Sequence, residues 1–349
     1  MNARVALIGT FLAAALATGA LLSRTVIIDG ALWAYQAKQM LMMSPALYSS
    51  LDAFYHPGGP VLEASILFRA LPLSTMGALI AGLALLFGLI IACTGFVAYL
   101  LRGDLFWSAA LCVILVLDPS SFISTPPSMI AGLLAVLLAL LTLLVREQGS
   151  SRSAIAWAIA AGALSATRIE IGGLAFLVFF PLLARRWNIR RSIEIAAITF
   201  GSFFVFDPFM WHTPVAQVTG LLRFMLQHYN GLGDFGTEAL SIHEVLIHAP
   251  LGIFALAATV LAILLGKRFR AVLPRDYLVS LLILTVILFA VVGAAAYQTA
   301  RYLMPAFLIA ESLLPLYIFA LSPRRSIQGA LLAVLVFAQA ASYWVLRVS

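Results

Sequence analysis

Pro60-Val61-Leu62-Glu63-Ala64-Ser65-Ile66-Leu67-Phe68-Arg69-Ala70-Leu71-Pro72-Leu73 is the stretch whose placement decides how the rest of the chain is threaded. It is apolar apart from Glu63 and Arg69, yet too short to cross a bilayer unaided, because a spanning helix needs about 20 apolar residues. It lies in a chain of 349 residues, 63% hydrophobic and 10% charged. Such a composition cannot be arranged as a water-soluble globule. It predicts a polytopic, all-α membrane protein, since lipid accepts only backbones that satisfy their own hydrogen bonds. Apolar runs fall near residues 5–23, 76–101, 105–119, 128–145, 153–168, 170–184, 192–210, 249–266, 277–298, 303–321 and 327–346. These predict about eleven transmembrane helices in a single transmembrane domain over residues 1–349.

The basic residues decide how to count the short piece. If it does not cross, the loops holding Arg102, Arg146, Arg152, Arg185, Arg186, Arg190, Arg191, Lys267, Arg268, Arg270, Arg275, Arg324 and Arg325 join Arg4 on one side, fourteen of the 21 Lys and Arg. If it crosses, every later loop flips and most positive charge faces outward, against the bias that orients short-loop membrane proteins. Residues 60–73 are therefore expected to form a re-entrant or surface-lying helix, with the protein in a bacterial-type inner membrane. The run Val5 to Leu22 is expected to be a retained first helix rather than a signal-peptide core, Ala17-Thr18-Gly19-Ala20 being a poor cleavage site. The formal net charge of +7 is spread between apolar runs, so a nucleic-acid partner is not expected. Cys93 and Cys112 both sit inside apolar runs and are expected to pack as small hydrophobes.

With this threading the outer face receives a first loop of about residues 24–75, a short turn from Asp118 to Ser128 and a segment of about residues 211–249. Long loops in compact proteins tend to carry function. Within the first, Leu32, Tyr35, Gln39 and Met43 share one side at helical spacing, as suits a helix in the headgroup layer. Within the last, Val215 to Tyr229 reads as an amphipathic helix, followed by a glycine-rich turn, Asn230-Gly231-Leu232-Gly233-Asp234-Phe235-Gly236. No Lys-Ser/Thr follows those glycines, so they are not a phosphate loop. His212, His228, His243 and His248 match no zinc-ligand spacing, and no Gly-x-Ser-x-Gly or His-Glu-x-x-His is present. What stands out is a set of ionisable residues at outer helix ends: Asp29, Asp52, His56, Glu63, Arg168, Glu170, Asp207 and Arg301. Each costs about 2.5–3.5 kcal/mol at a helix centre on insertion scales, which drives such groups to face one another in a polar pocket.

Four segments carrying these residues, in order along the chain, resemble the GT-C glycosyltransferases, the superfamily of the aminoarabinose and protein O-mannosyl transferases that use polyprenyl-phosphate sugars. Asp29-Gly30-Ala31-Leu32-Trp33-Ala34-Tyr35 looks like the acidic first outer loop. Tyr55-His56-Pro57-Gly58-Gly59-Pro60 is similar to the aromatic-x-Pro-Pro segment before the second span. Ala166-Thr167-Arg168-Ile169-Glu170-Ile171-Gly172 resembles the Thr-Arg-Pro-Glu-Gly turn, and Ala300-Arg301-Tyr302-Leu303-Met304-Pro305-Ala306 the Arg-Tyr-Leu-Leu-Pro turn. The resemblance implies inverting sugar transfer to a lipid or glycan acceptor at the periplasmic face, with Asp29 as the base. Arg301, Arg168 and His56 would hold the donor phosphate, Glu170 would orient Arg168, and Tyr55, Tyr302 and Asp52 would support the site. Asp52, Asp118 and Asp207 are reserve candidates for the base or for a divalent cation, Mg or Mn, on which the sequence does not decide. Gly30 stands where relatives often carry a second acid, Ile169 where they carry Pro, and the large soluble domain of many relatives is not expected here. A lipid-linked sugar flippase and a non-catalytic membrane subunit of the same fold stay open beside the enzyme.

Overall fold

The computed structural model describes residues 58–70, 75–102, 125–146, 151–211, 213–230, 250–265, 275–294 and 324–348, with residues 12, 306, 307, 309 and 314. Every regular element among them is helical. In chain order they are α1 (Gly59–Ala70), α2 (Thr75–Arg102), α3 (Thr125–Arg146), α4 (Ser151–Thr167), α5 (Ile169–Ala184) and α6 (Ile189–Phe206). A 3-10 turn (Pro208–Trp211) then leads into α7 (Pro214–Tyr229), α8 (Pro250–Leu265), α9 (Arg275–Ala294) and α10 (Arg325–Val348).

The decisive stretch forms α1, a helix of 12 residues, about 18 Å at 1.5 Å per residue. That is well short of a hydrocarbon core of ~30 Å, as a re-entrant or surface-lying helix requires. Val61 and Ser65 face inward while Ile66 and Ala70 are exposed, so α1 packs through one side only, against α2, α4 and the 3-10 turn.

α4 is the hub. It packs most extensively on α6 and also on α3 and α5, and its sequence explains why. Ser-Arg-Ser-Ala-Ile-Ala-Trp-Ala-Ile-Ala-Ala-Gly-Ala-Leu-Ser-Ala-Thr is dominated by small residues, which let neighbouring helix axes come close. Gly162 shows the limit of this: a Cβ there would lie 2.5 Å from the Thr199 carbonyl oxygen and from Ser202 Cβ of α6. Trp157 is the one aromatic side chain of α4 and is buried, stacked on Phe176 of α5, which stacks in turn on Phe180. The core spreads from there to Leu134, Leu138 and Leu141 of α3 and to Leu281 and Leu284 of α9. Near its edge Thr142 Oγ1 lies 2.7 Å from Leu138 O and 2.7 Å from Tyr277 OH. Since a hydroxyl has one proton, Thr142 donates to Leu138 and Tyr277 donates to Thr142.

Two expected boundaries move. The run at 192–210 ends as a helix at Phe206, not 210: Asp207 is extended (φ −107, ψ 94), as a residue before proline prefers, and Pro208 opens the 3-10 turn. The run at 153–168 ends at Thr167, because Arg168 is extended too (φ −152, ψ 101). No stretch of described residues makes a helix long and apolar enough to cross a membrane, while the full sequence of α2 runs 28 residues with Arg102 as its one Lys, Arg, Asp or Glu. Large apolar side chains nevertheless cover outward faces: Ile193, Phe200 and Phe204 on α6, and Val215, Val218, Leu222 and Leu226 on α7. The expected spans at 5–23, 105–119 and most of 303–321, and the helix at 31–43, lie outside the described residues.

Candidate functional site

Arg168 stands between two helices and belongs to neither. Its N–H continues the α4 ladder to Leu164 O at 2.8 Å, and its carbonyl accepts the first bonds of α5, from Gly172 N at 2.9 Å and Ile171 N at 3.2 Å. The chain can reverse so tightly because residue 172 is glycine. A Cβ at Gly172 would collide with the backbone of Ser165. Glu170 falls in the first turn of α5, where the partial positive charge of the helix start favours a carboxylate. From there its Oε1 lies 2.5 Å from Arg168 Nε, with the two side chains 21% and 19% exposed. Pairing at Nε fixes the plane of the guanidinium.

The segment resembling the aromatic-x-Pro-Pro motif arrives at the same place. Gly58 and Gly59 are buried, and Gly58 O accepts from Val61 N and Leu62 N at 3.1 Å each, starting α1. A Cβ on Gly59 would lie 2.5 Å from Ala166 O and 3.0 Å from Thr167 N. Side-chain-free backbone is thus what allows this entrance to sit against the end of α4, one residue before Arg168.

Asp207 completes the junction. Its side chain is 0% exposed. Oδ1 accepts from Gly58 N at 2.8 Å and from Phe209 N at 3.1 Å, whereas Oδ2 has no hydrogen-bond partner among the described residues. Burial pushes its carboxyl up to about 6, while the backbone N–H groups of Gly58, Phe209 and Met210 pull the other way. Asp207 lies just past the end of α6, and Trp211 Nε1 ties the turn back to Phe204 O at 3.0 Å.

Of the residues picked out by sequence, the structure brings Arg168 and Glu170 together and places Asp207 on the Gly58 amide. Asp29, Asp52, Tyr55, His56, Asp118, Arg301 and Tyr302 lie outside the described residues, as does His212; Glu63 is in α1, its side chain not described. Among the described residues no three His, Cys, Asp or Glu side chains group in a way that could hold a metal ion. The glycine pair 58–59 and Ala166 were legible only as parts of two motifs, with nothing to show that they meet. The signal available for the first was Gly-Gly immediately before Pro60, which puts two residues without Cβ at a helix start.

The fold is shared with solved structures. It superposes on the crystal structure of ArnT from Cupriavidus metallidurans bound to undecaprenyl phosphate with a TM-score of 0.65 and 18% sequence identity, over 94% of this chain and 63% of that one. For the apo state of the same protein the TM-score is 0.62, again at 18% identity, over 93% of this chain and 62% of that one. The chain therefore spans somewhat under two thirds of the length of these structures. No protein-family model matches the sequence, and no curated protein matches it.

Proposed function

We propose that this chain is an inverting glycosyltransferase of the GT-C fold, which moves a sugar from a polyprenyl-phosphate donor to a lipid or glycan acceptor at the outer, periplasmic face of a bacterial-type inner membrane. The observation that carries the proposal is the likeness, along 94% of the chain, to an ArnT structure holding undecaprenyl phosphate. The Arg168–Glu170 pair agrees with it: a half-buried guanidinium paired with a carboxylate at the junction of three segments. The membrane setting is supported by the composition and by the apolar outward faces of α6 and α7, which exceed the scattered apolar exposure of a soluble surface.

Asp29 would take the proton of the acceptor hydroxyl as its oxygen attacks the anomeric carbon from the face opposite the phosphate. The bond to the phosphate oxygen breaks, polyprenyl phosphate leaves, and the configuration inverts. Arg168, Arg301 and His56 would meet the charge that grows on the departing phosphate, with Glu170 orienting Arg168 and Asp52, Tyr55 and Tyr302 supporting the pocket. Membrane lipid and the polyprenyl tail would share the apolar faces.

The test is incubation of the purified full chain in lipid nanodiscs with a labelled undecaprenyl-phosphate sugar and candidate acceptors. Acceptor-dependent release of undecaprenyl phosphate, lost in Asp29→Asn while the donor lipid still binds, is the expected result. Intact donor crossing a vesicle bilayer without bond cleavage would replace transfer with flipping. The orientation has its own test: a cysteine at Arg190 should resist an impermeant thiol reagent, and ready labelling would reverse the topology.

A further inference from the structure

One oxygen of Asp207 joins the amide of Gly58, 149 residues away, to the turn at Phe209. Nothing in the proposed transfer step uses this carboxylate, and its surroundings leave little slack. A Cβ at Gly58 would lie 2.7 Å from Asp207 Oδ1 and 2.7 Å from Pro208 Cδ, and one at Gly59 would lie 2.5 Å from Ala166 O. The clamp therefore reaches, through Gly58 and Gly59, to the last turn of α4, whose next residue is Arg168. Arg168 has no helix of its own to stiffen it, being the extended link between α4 and α5.

We propose that Asp207 is a positioning residue: by accepting the Gly58 and Phe209 amides it clamps the entrance of α1 onto the α4–α5 junction, and so holds Arg168 in the geometry that an anionic lipid phosphate requires. The idea rests on the transferase reading for its consequence, though not for the clamp itself. Asp207 transfers no proton in this role; what matters is an oxygen that accepts two N–H groups at a fixed place. An amide oxygen can do the same. A change of 1 Å at a phosphate-binding cation is enough to cost a large factor in rate, which makes a remote acceptor matter to chemistry.

The full-length protein in nanodiscs separates the possibilities with Asp207→Asn, Asp207→Ala and Gly58→Ala. Asp207→Ala is expected to speed amide exchange over residues 58–62 and 165–172 and to weaken binding of undecaprenyl phosphate about tenfold. Asp207→Asn, which keeps an acceptor, is expected to stay within about threefold of wild type. Gly58→Ala, which keeps the carboxylate but pushes the segment off it, should resemble Asp207→Ala and decides the matter if that variant does not fold. Wild-type exchange in Asp207→Ala overturns the clamp. A lowered melting temperature with unchanged lipid binding and unchanged exchange over residues 165–172 overturns the positioning role, as does damage by Asn equal to that by Ala. If the wild type binds undecaprenyl phosphate but transfers no sugar, the transferase reading fails while the exchange data still decide the clamp.

Discussion

The two ends of α4 and its neighbours handle charge in opposite ways. At the end with Ser151 and Asn188, arginines reach to backbone carbonyls at the ends of other helices: Arg186 Nη1 to Val145 O, in the last turn of α3, at 3.2 Å and Arg191 Nη2 to Ser151 O, at the start of α4, at 2.9 Å, with Arg191 also 2.8 Å from Glu194. Arg185 and Asp276 face each other at 3.6 Å with side chains 74% and 66% exposed. Arg185 and Asp276 keep their water, and such a pair contributes little to stability; Arg191 is more enclosed, its side chain 18% exposed. At the end with Thr167 and Asp207, backbone meets backbone through Gly58, Gly59 and Gly172, one carboxylate is fully buried and the one arginine described there, Arg168, is paired with Glu170. The difference lies in Asp207: no charged group described at the first end is fully buried, whereas this carboxylate is, and it is held by the amide of Gly58, 149 residues away.

The contrast can be broken most sharply at its arginines. Arg168→Ala should lower sugar transfer at least ~100-fold at saturating donor, the scale for losing one group that stabilises developing charge, while Arg191→Ala should stay within about twofold of wild type; equal losses would erase the distinction between the two ends. Glycines give the next largest effect. Gly59→Ala or Gly172→Ala must push backbone aside and should cost about 1–3 kcal/mol, read as a lowered melting temperature in detergent. Gly173 and Gly201 have nothing within 4 Å of an added Cβ, so alanine at these helical positions should stabilise by about 0.5–1 kcal/mol.

A smaller effect depends on pH. Burial places the native carboxyl of Asp207 at about 6 against an ordinary 3.8, so the folded protein holds this proton more tightly than the unfolded chain does. Its contribution to stability is present below about pH 4 and is lost as the pH rises towards about 6. Asp207→Asn should flatten the fall of melting temperature across that window; an unaltered slope would assign the titration to another group. The least effect belongs to Arg185→Ala, expected within about 0.5 kcal/mol of wild type because its pair is wide and wetted.

Helices were easy to read in this sequence because long apolar runs leave few other options. The runs at 76–101, 128–145 and 170–184 differ from α2, α3 and α5 by only a few residues at their ends. The end at Phe206 was misplaced because Phe209 and Met210 extend the apolar run past Asp207-Pro208, and hydropathy does not register the turn that this dipeptide makes. The short piece 60–73 was placed by charge bias in loops far from it, and its 12-residue helix is of a length that fits. The clamp at Asp207 could not be read, since its partner is a backbone amide 149 residues away and an amide has no signature in sequence. Arg168 with Glu170 was legible because the pair is local, two residues apart at a helix start. The base, Asp29, and the second arginine, Arg301, lie outside the described residues and stand as proposals.

The hydroxyl pair of Thr142 and Tyr277, 2.7 Å apart and 135 residues apart in sequence, bears on how the molecule is put together. Tyr277 is 1% exposed, so sliding α9 by one turn along α3 would leave its hydroxyl buried without a partner, while Thr142 would keep its bond to Leu138 O. The contact acts as an index mark for axial position rather than as a large store of binding energy. α3 must wait for a helix made much later in synthesis before its Thr142 can accept from anything beyond its own turn, and correct assembly of the late helices is thereby checked against the early ones.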